Sequence, residues 1–127
     1  MTKSLEEILR PPTEDEVRRA LARFAQDARA HYGTRLKGLY LFGSRARGDH
    51  EPDSDADVAV ILEDGPWKYR DERRALSDLT YDRLIDDGVE IQTIPIAASE
   101  WTDPQRHHNP SLVRSMKSDA RCPEALA

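Results

Sequence analysis

Residues 41–62 read LFGSRARGDHEPDSDADVAVIL and contain the features that decide the fold. The largely apolar run at residues 36–42 leads into Gly43 and Ser44, as a buried strand does when it meets a tight turn. After a polar connector, residues 55–62 are rich in β-branched side chains and predict a second strand. The stretch therefore predicts two strands that are joined by a glycine-containing turn and a polar loop.

Two helices are predicted on either side of these strands. Thr13 and Glu16 have the pattern of a capping box that begins the first helix, and Gly33 ends it. Leucines at approximately helical spacing place the second helix within residues 67–87, before Gly88. Each helix is expected to pack an apolar face against the strands.

One more strand and one more helix complete the predicted order. Residues 89–94 predict a third strand that Pro95 stops, because proline cannot donate to a strand ladder. Asn109 and Pro110 are typical of an N-cap and the first residue of a helix, here running to about Asp119. This order predicts a small α/β fold with a mixed sheet of three to four strands packed by helices.

Size and charge limit the classes of protein to which the chain can belong. Its 127 residues predict one domain, 1–127, with a polar leader at 1–12 and a C-terminal helix and tail at 101–127. The 19 Lys and Arg against 24 Asp and Glu give a net charge of −5, which argues against direct binding of nucleic acid. Glu6 and Glu7 stand where a signal peptide is apolar, and no membrane span is evident, so we expect a cytoplasmic protein.

Two generic motifs fail at a decisive residue. Gly43 and Gly48 have the spacing of a P-loop, but Asp49 stands where the phosphate-binding lysine belongs. The aspartates of residues 53–64 resemble a calcium-binding loop, but Val58 occupies the position whose sharp turn needs glycine. Neither kind of loop is therefore predicted.

Asp55 and Asp57 are predicted to form a pair of carboxylates on one face of the second strand. Side chains alternate along a strand, so these two residues share a face, while Ala56, Val58 and Val60 point to the core on the other. Two carboxylates placed in this way repel each other unless a cation lies between them, and paired hard oxygen ligands suit Mg²⁺. The pattern thus predicts a magnesium site.

Gly43 and Ser44 are predicted to bind phosphate at the end of the first strand. A residue without a Cβ lets the backbone approach a phosphate, and backbone N–H groups and the serine hydroxyl can hold its oxygens. Phosphate and metal are thereby expected at the same place in the fold.

These residues carry a resemblance to a known family. Gly43-Ser44, ten intervening residues and Asp55-Ala56-Asp57 resemble the signature of the DNA polymerase β-like nucleotidyltransferase superfamily. The Gly-Ser-Arg-Ala-Arg-Gly opening and the short chain are most similar to its minimal nucleotidyltransferase branch. The resemblance implies a single small nucleotidyltransferase domain, in which two Mg²⁺ ions assist attack of a hydroxyl on the α-phosphate of a nucleoside triphosphate, with release of pyrophosphate.

The resemblance also implies roles for individual residues. Asp55 and Asp57 would be the catalytic metal ligands. The implied triphosphate-binding residues are Gly43 and Ser44, together with Arg45 or Arg47, which would offer charge to the β and γ phosphates.

The family uses a third carboxylate on a neighbouring strand, and Glu90 is the candidate in this chain. It is an acid flanked by the core-type residues Val89 and Ile91. The alternative is a solvated glutamate at the start of an edge strand. In that case the second metal would be poorly held, and the chain would bind nucleotide better than it transfers it.

A partner is implied as well. The short chain is similar to minimal members that act as antitoxins of small, all-helical HEPN-type ribonuclease toxins. These antitoxins transfer AMP from ATP to a tyrosine of the toxin and also bind it. The resemblance therefore implies an Mg²⁺- and ATP-dependent protein adenylyltransferase, in a homo- or hetero-oligomer that the sequence leaves open. The acidic balance suits a basic, RNA-cutting partner.

The sequence leaves two other functions open. The same chemistry would serve a small-molecule acceptor such as an aminoglycoside hydroxyl, with a partner subunit or a homodimer completing the pocket. A non-catalytic module could instead neutralise its partner by masking it.

Four further residues are expected to be mainly structural rather than catalytic: His50, Trp101, His107 and His108.

Overall fold

The structure is a computed structural model that describes residues 10–127; most of the leader predicted at 1–12 lies outside this range. Its helices and strands follow the predicted order, with two short helices added. The elements are α1 (Glu14–Tyr32), β1 (Leu36–Phe42), α2 (Gly43–Arg47), β2 (Ala56–Leu62), α3 (Tyr69–Asp87), β3 (Ile91–Ala97), α4 (Ala98–Thr102) and α5 (Pro110–Asp119).

The three strands form one mixed sheet in the order β1-β2-β3, which confirms the predicted α/β fold. The central strand β2 runs antiparallel to β1 and parallel to β3. Asp57 therefore lies between Phe42 of β1 and Gln92 of β3. The register places the end of β1 and the beginning of β3 directly beside the predicted carboxylate pair.

One face of the sheet packs against α1 and α3. Thr13 caps α1 as predicted: its side chain accepts a hydrogen bond from the Glu16 N–H, and the Glu16 carboxylate accepts one from the Thr13 N–H. The buried side of α1, centred on Phe24, meets Val58 and Val60 of β2 in one apolar cluster. This layer fixes the strand that carries the two aspartates.

The opposite face is also covered, which the prediction of a single core face did not include. Ala59 and Ile61 follow Asp57 on its own face of β2 and are buried with Val113 and Met116 of α5. Asn109 caps this helix, accepting a hydrogen bond from the Leu112 N–H as predicted. On this face of β2, Asp57 is therefore the last polar residue before the apolar residues that α5 covers.

Pro95 does not stop the third strand, and that prediction was wrong. β3 continues to Ala97, with Pro95 paired opposite Val60. Because β3 is an edge strand, a proline whose missing N–H faces away from β2 removes no hydrogen bond from the sheet.

Among the helices of residues 10–127, none combines the length and apolar character that a membrane span needs.

Candidate active site

Gly43 lies directly against the side chain of Asp57. Its φ of 75° places it in the left-handed region, where glycine is favoured, and it joins the end of β1 to the start of α2. A Cβ at this position would overlap Oδ2 of Asp57 and lie 3.3 Å from its Cγ. The glycine thus brings the turn that was predicted to bind phosphate into contact with a carboxylate that was predicted to bind metal.

Asp57 and Asp55 form an electrostatically strained pair at the beginning of β2. Burial raises the pKa of Asp57, and the neighbouring Asp55 raises it further, while Arg47 opposes the shift. A cation between the two carboxylates would remove their repulsion and favour the charged form of both. Two oxygen donors fit Mg²⁺, which usually takes one or two protein carboxylates and completes its shell with phosphates and water.

Ser44 lies in the first turn of α2. Its carbonyl accepts hydrogen bonds from the N–H groups of Gly48 and Asp49, so the five-residue helix ends in a closed turn. The sequence predicted only a turn and a connector here. The first N–H groups of a helix lack intrahelical partners, which leaves donors beside Gly43 and Asp57.

Arg45 supports the connector between α2 and β2. Its side chain is only 4% exposed, and its guanidinium donates to the carbonyls of Ser54 at 2.9 Å and Pro52 at 3.1 Å. It also reaches Glu14 of α1, which accepts a 2.8 Å hydrogen bond from His50 in the state where Nε2 is protonated. The guanidinium of Arg45 therefore holds the loop that leads into Asp55.

Arg47 is the arginine whose charge lowers the pKa of Asp57, against the effects of burial and Asp55. Its guanidinium is 47% exposed and pairs with Asp49 at 3.2 Å and with Asp119 at 2.8 Å. Asp119 ends α5 and lies 72 residues further along the chain. The sequence offered no local signal for this contact, because only the packing of α5 brings Asp119 to the site.

Glu90 stands one residue before β3 and is exposed. Its backbone carbonyl accepts a hydrogen bond from the Ala56 N–H, and its carboxylate accepts one from the Gln92 side chain at 3.1 Å. Within residues 10–127, no three His, Cys, Asp or Glu side chains are grouped as a metal site would require. The structure brings Asp55 and Asp57 together and leaves the Glu90 carboxylate bonded to Gln92.

Trp101, His107 and His108, which the sequence predicts to be mainly structural, all make packing contacts. Trp101 stacks on Tyr40 with ring centroids 5.1 Å apart, and the Lys117 ammonium donates to the Trp101 carbonyl. His107 is buried, stacks on His108, and accepts a hydrogen bond from the Asn109 N–H. These contacts hold the segment that precedes α5.

The fold and the arrangement of Gly43, Asp55 and Asp57 define a nucleotidyltransferase, and comparison with known proteins agrees. The nucleotidyltransferase domain family matches residues 21–121, which include the glycine-serine turn, both aspartates and α5. The chain belongs to this family.

Two relatives come from Methanocaldococcus jannaschii, and both carry the provisional name protein adenylyltransferase. One is 37% identical over 76 residues, which cover 60% of this chain and 69% of the relative. The other is 32% identical over 74 residues, covering 58% of this chain and 50% of the relative, so the match spans half of that protein. They agree with the resemblance to minimal nucleotidyltransferases.

A solved structure shows the same fold. The crystal structure of a Sulfolobus solfataricus protein, provisionally named a nucleotidyltransferase, superposes with a TM-score of 0.54. The alignment has 24% sequence identity and covers 85% of this chain and 86% of that one. The match therefore extends the fold assignment over most of the chain.

Proposed function

We propose that the chain is an Mg²⁺-dependent adenylyltransferase that transfers AMP from ATP to a protein hydroxyl. The acceptor we propose is a tyrosine of a HEPN-type ribonuclease toxin, for which the chain would act as the antitoxin. The contact between Gly43 and Asp57 carries this proposal, because it joins the turn predicted to bind phosphate to the carboxylate pair predicted to bind metal. Two relatives named as protein adenylyltransferases favour a protein acceptor over a small molecule.

The residues around this contact are assigned roles from their positions. Gly43 and Ser44 would hold the triphosphate through backbone N–H groups and the serine hydroxyl. Arg47, half exposed beside the carboxylates, would turn from Asp49 and Asp119 to the β and γ phosphates. Arg45 takes no part in binding phosphate in this proposal, because its guanidinium is buried on the loop carbonyls.

Asp55 and Asp57 would hold Mg²⁺, with Glu90 as the third carboxylate once it leaves Gln92. When bound, the metal would supply positive charge to the attacking and leaving oxygens and to the phosphates. In the transfer itself, the acceptor oxygen bonds to the α-phosphorus, the bond to the pyrophosphate oxygen breaks, and a carboxylate takes the hydroxyl proton. ATP is a cytoplasmic substrate, which fits the cytoplasmic location expected from the sequence.

A labelling experiment tests this proposal. The purified chain is incubated with α-labelled ATP, Mg²⁺ and the product of the adjacent gene, and Asp55→Ala/Asp57→Ala serves as the inactive variant. Asp53→Ala, a change of the same kind at an exposed position in the connector, is the matched control. The proposal predicts label on a tyrosine of the neighbouring protein with wild type and Asp53→Ala, and none with the double variant.

Other results would contradict the proposal in different ways. Label on an aminoglycoside but on no protein would assign the chemistry to a small-molecule acceptor. A stable complex without label, formed equally well by the double variant, would make the chain a binding module. Transfer that persists in the double variant would remove Asp55 and Asp57 from the reaction.

A further inference from the structure

The two outer edges of the sheet differ. On β1, the backbone N–H and carbonyl of Leu41 both pair with Arg121, at 2.8 Å each, so the segment after α5 covers this edge at Leu41. No described residue outside the sheet makes a comparable pair with the outer edge of β3. Within residues 10–127, the edge of β1 is therefore paired at Leu41, and the edge of β3 is open.

The register determines which backbone groups of β3 face outward. The Ala56 N–H donates to the Glu90 carbonyl, and in a parallel pair this sets an alternation in which Gln92, Ile94 and Ile96 face β2. The intervening residues face the open edge; they are Ile91, Thr93, Pro95 and Ala97. Pro95 has no N–H, and the Ala97 N–H donates to the Glu100 carboxylate. Ile91 and Thr93 thus supply the open donors, both in the half of β3 nearest Asp57.

A groove runs along this part of the edge. It has a volume of about 220 Å³ and lies between residues 90–93 and the outer face of α3. Tyr81 and Leu84 of α3 line it and are 62% and 43% exposed, which is high for large apolar side chains. The groove therefore combines unpaired strand groups with a mixed wall, in which Arg73, Ser77 and Thr80 are polar and Tyr81 and Leu84 supply the large side chains.

The open half of β3 lies beside the part of β2 that carries Asp57. Gln92 pairs with Asp57 across the sheet, and neighbouring strands lie about 4.8 Å apart. A strand added outside β3 would lie about 10 Å from β2, and every second side chain on it would stand on the face of the sheet that carries Asp57. A tyrosine at one of these positions would lie on the same side of the sheet as the proposed site of transfer.

We propose that the groove between β3 and α3 docks an extended segment of the protein acceptor as a fourth strand on β3. This inference rests on the proposed transfer to a protein. Pairing uses the backbone groups of Ile91 and Thr93, and Pro95 limits it to the half of the strand nearest the active site. Tyr81 and Leu84 contact the apolar side chains of the docked segment.

A substitution at Thr93 tests the docking. Thr93→Pro removes the outward N–H but no hydrogen bond to β2, and Pro95 already occupies the equivalent position two residues later. Thr93→Val keeps the N–H and the β-branched shape, so it is the matched control. Binding is measured by calorimetry with the product of the adjacent gene, in the Asp55→Ala/Asp57→Ala background. We expect Thr93→Pro to raise the Kd about tenfold and Thr93→Val to leave it within about twofold.

Hydrogen exchange gives a second measurement that needs no variant. The Ile91 and Thr93 amides are expected to exchange more slowly in the complex than in the free chain. Equal exchange rates in both states, equal Kd values for the two Thr93 variants, or failure of the wild type to bind would each overturn the docking. Protection that depends only on the concentration of the chain itself would also overturn it, because the occupant would then be a second copy.

Docking and transfer can be told apart. A complex that Thr93→Pro weakens, but that receives no label from the active chain, supports the docking and removes the proposed transfer. Label transfer that proceeds equally in the Thr93→Pro and Thr93→Val proteins supports the transfer and overturns the docking. Binding of ATP by both variants shows that the nucleotide site remains folded.

Discussion

Gly43 and Asp57 are in contact across the junction of β1 and β2, with no room for a side chain between them. The glycine combines two requirements at one position, a left-handed backbone and the absence of a Cβ. The first would strain any other residue, and the second lets the carboxylate lie beside the turn that we propose binds phosphate. Their contact is the basis of the active-site assignment.

Gly43→Ala is therefore expected to lower the rate of AMP transfer about 100-fold, because displacement of a reacting group by about 1 Å has effects of this size. The added methyl must move Asp57 or the turn. Steady-state assays with labelled ATP measure the loss. Gly88→Ala is the matched control, since Gly88 has a similar φ of 70° and open space around its Cβ position. Equal activity losses in the two variants would contradict a specific role for the Gly43 contact.

The raised pKa of Asp57 predicts a dependence of stability on pH. Between the ordinary value of 3.8 and the raised folded value, the folded chain holds a proton that the unfolded chain has lost. The free energy of unfolding therefore falls as pH increases through this window. Asp57→Asn removes the titration and the repulsion from Asp55, and is expected to raise the Tm at pH 7 by about 2–4 °C while abolishing transfer.

Thermal unfolding in metal-free buffer between pH 3 and 8 measures this effect. The difference between Asp57→Asn and wild type should be small near pH 3 and grow as Asp57 ionises. Added Mg²⁺ should stabilise the wild type and leave the variant unchanged. A difference that stays constant across the pH range would show that folding does not shift the pKa of Asp57.

Arg45 and Arg47 are expected to behave differently despite lying two residues apart. Arg45→Ala leaves the Ser54 and Pro52 carbonyls without their charged donor and is expected to reduce the free energy of unfolding by about 2–3 kcal/mol. Arg47→Ala removes half-exposed ion pairs and should cost less than about 1 kcal/mol. It should instead raise the KM for ATP about tenfold. Urea unfolding measures the loss of stability, and steady-state kinetics measures the KM for ATP. A larger loss of stability in Arg47→Ala, together with a raised KM in Arg45→Ala, would refute the roles assigned to the two arginines.

Two substitutions test the role proposed for Glu90, one at Glu90 itself and one at its hydrogen-bond partner Gln92. Glu90→Gln is expected to lower kcat about 100-fold if the carboxylate completes the site during transfer. Gln92→Ala frees the Glu90 carboxylate from its hydrogen bond and should leave kcat within about twofold. Measurements at saturating ATP distinguish these effects from effects on binding. Wild-type kcat in Glu90→Gln would restrict the metal ligands to the aspartate pair.

Much of this architecture was predictable because its signals are local. The capping box at Thr13, the strand of residues 55–62 and the spacing of Gly43 to Asp57 depend on neighbours in sequence. The role of Arg45 was not predictable, because its partners are backbone carbonyls whose positions only the folded connector defines.

Two further features depended on contacts between distant segments. Asp119 reaches Arg47 only through the packing of α5 on the second face of the sheet, which no periodicity in β2 could reveal. The continuation of β3 through Pro95 depended on its place at the edge of the sheet, which strand composition alone does not give.

The most direct test of the central claim is calorimetric binding of a non-hydrolysable ATP analogue, with and without Mg²⁺, to the wild type, Asp55→Ala/Asp57→Ala and Asp53→Ala. We expect Mg²⁺-dependent binding by the wild type and Asp53→Ala, and at least about tenfold weaker binding by the double variant. Binding of equal strength in all three proteins, or binding indifferent to Mg²⁺, would contradict a nucleotide site built on Gly43 and the two aspartates.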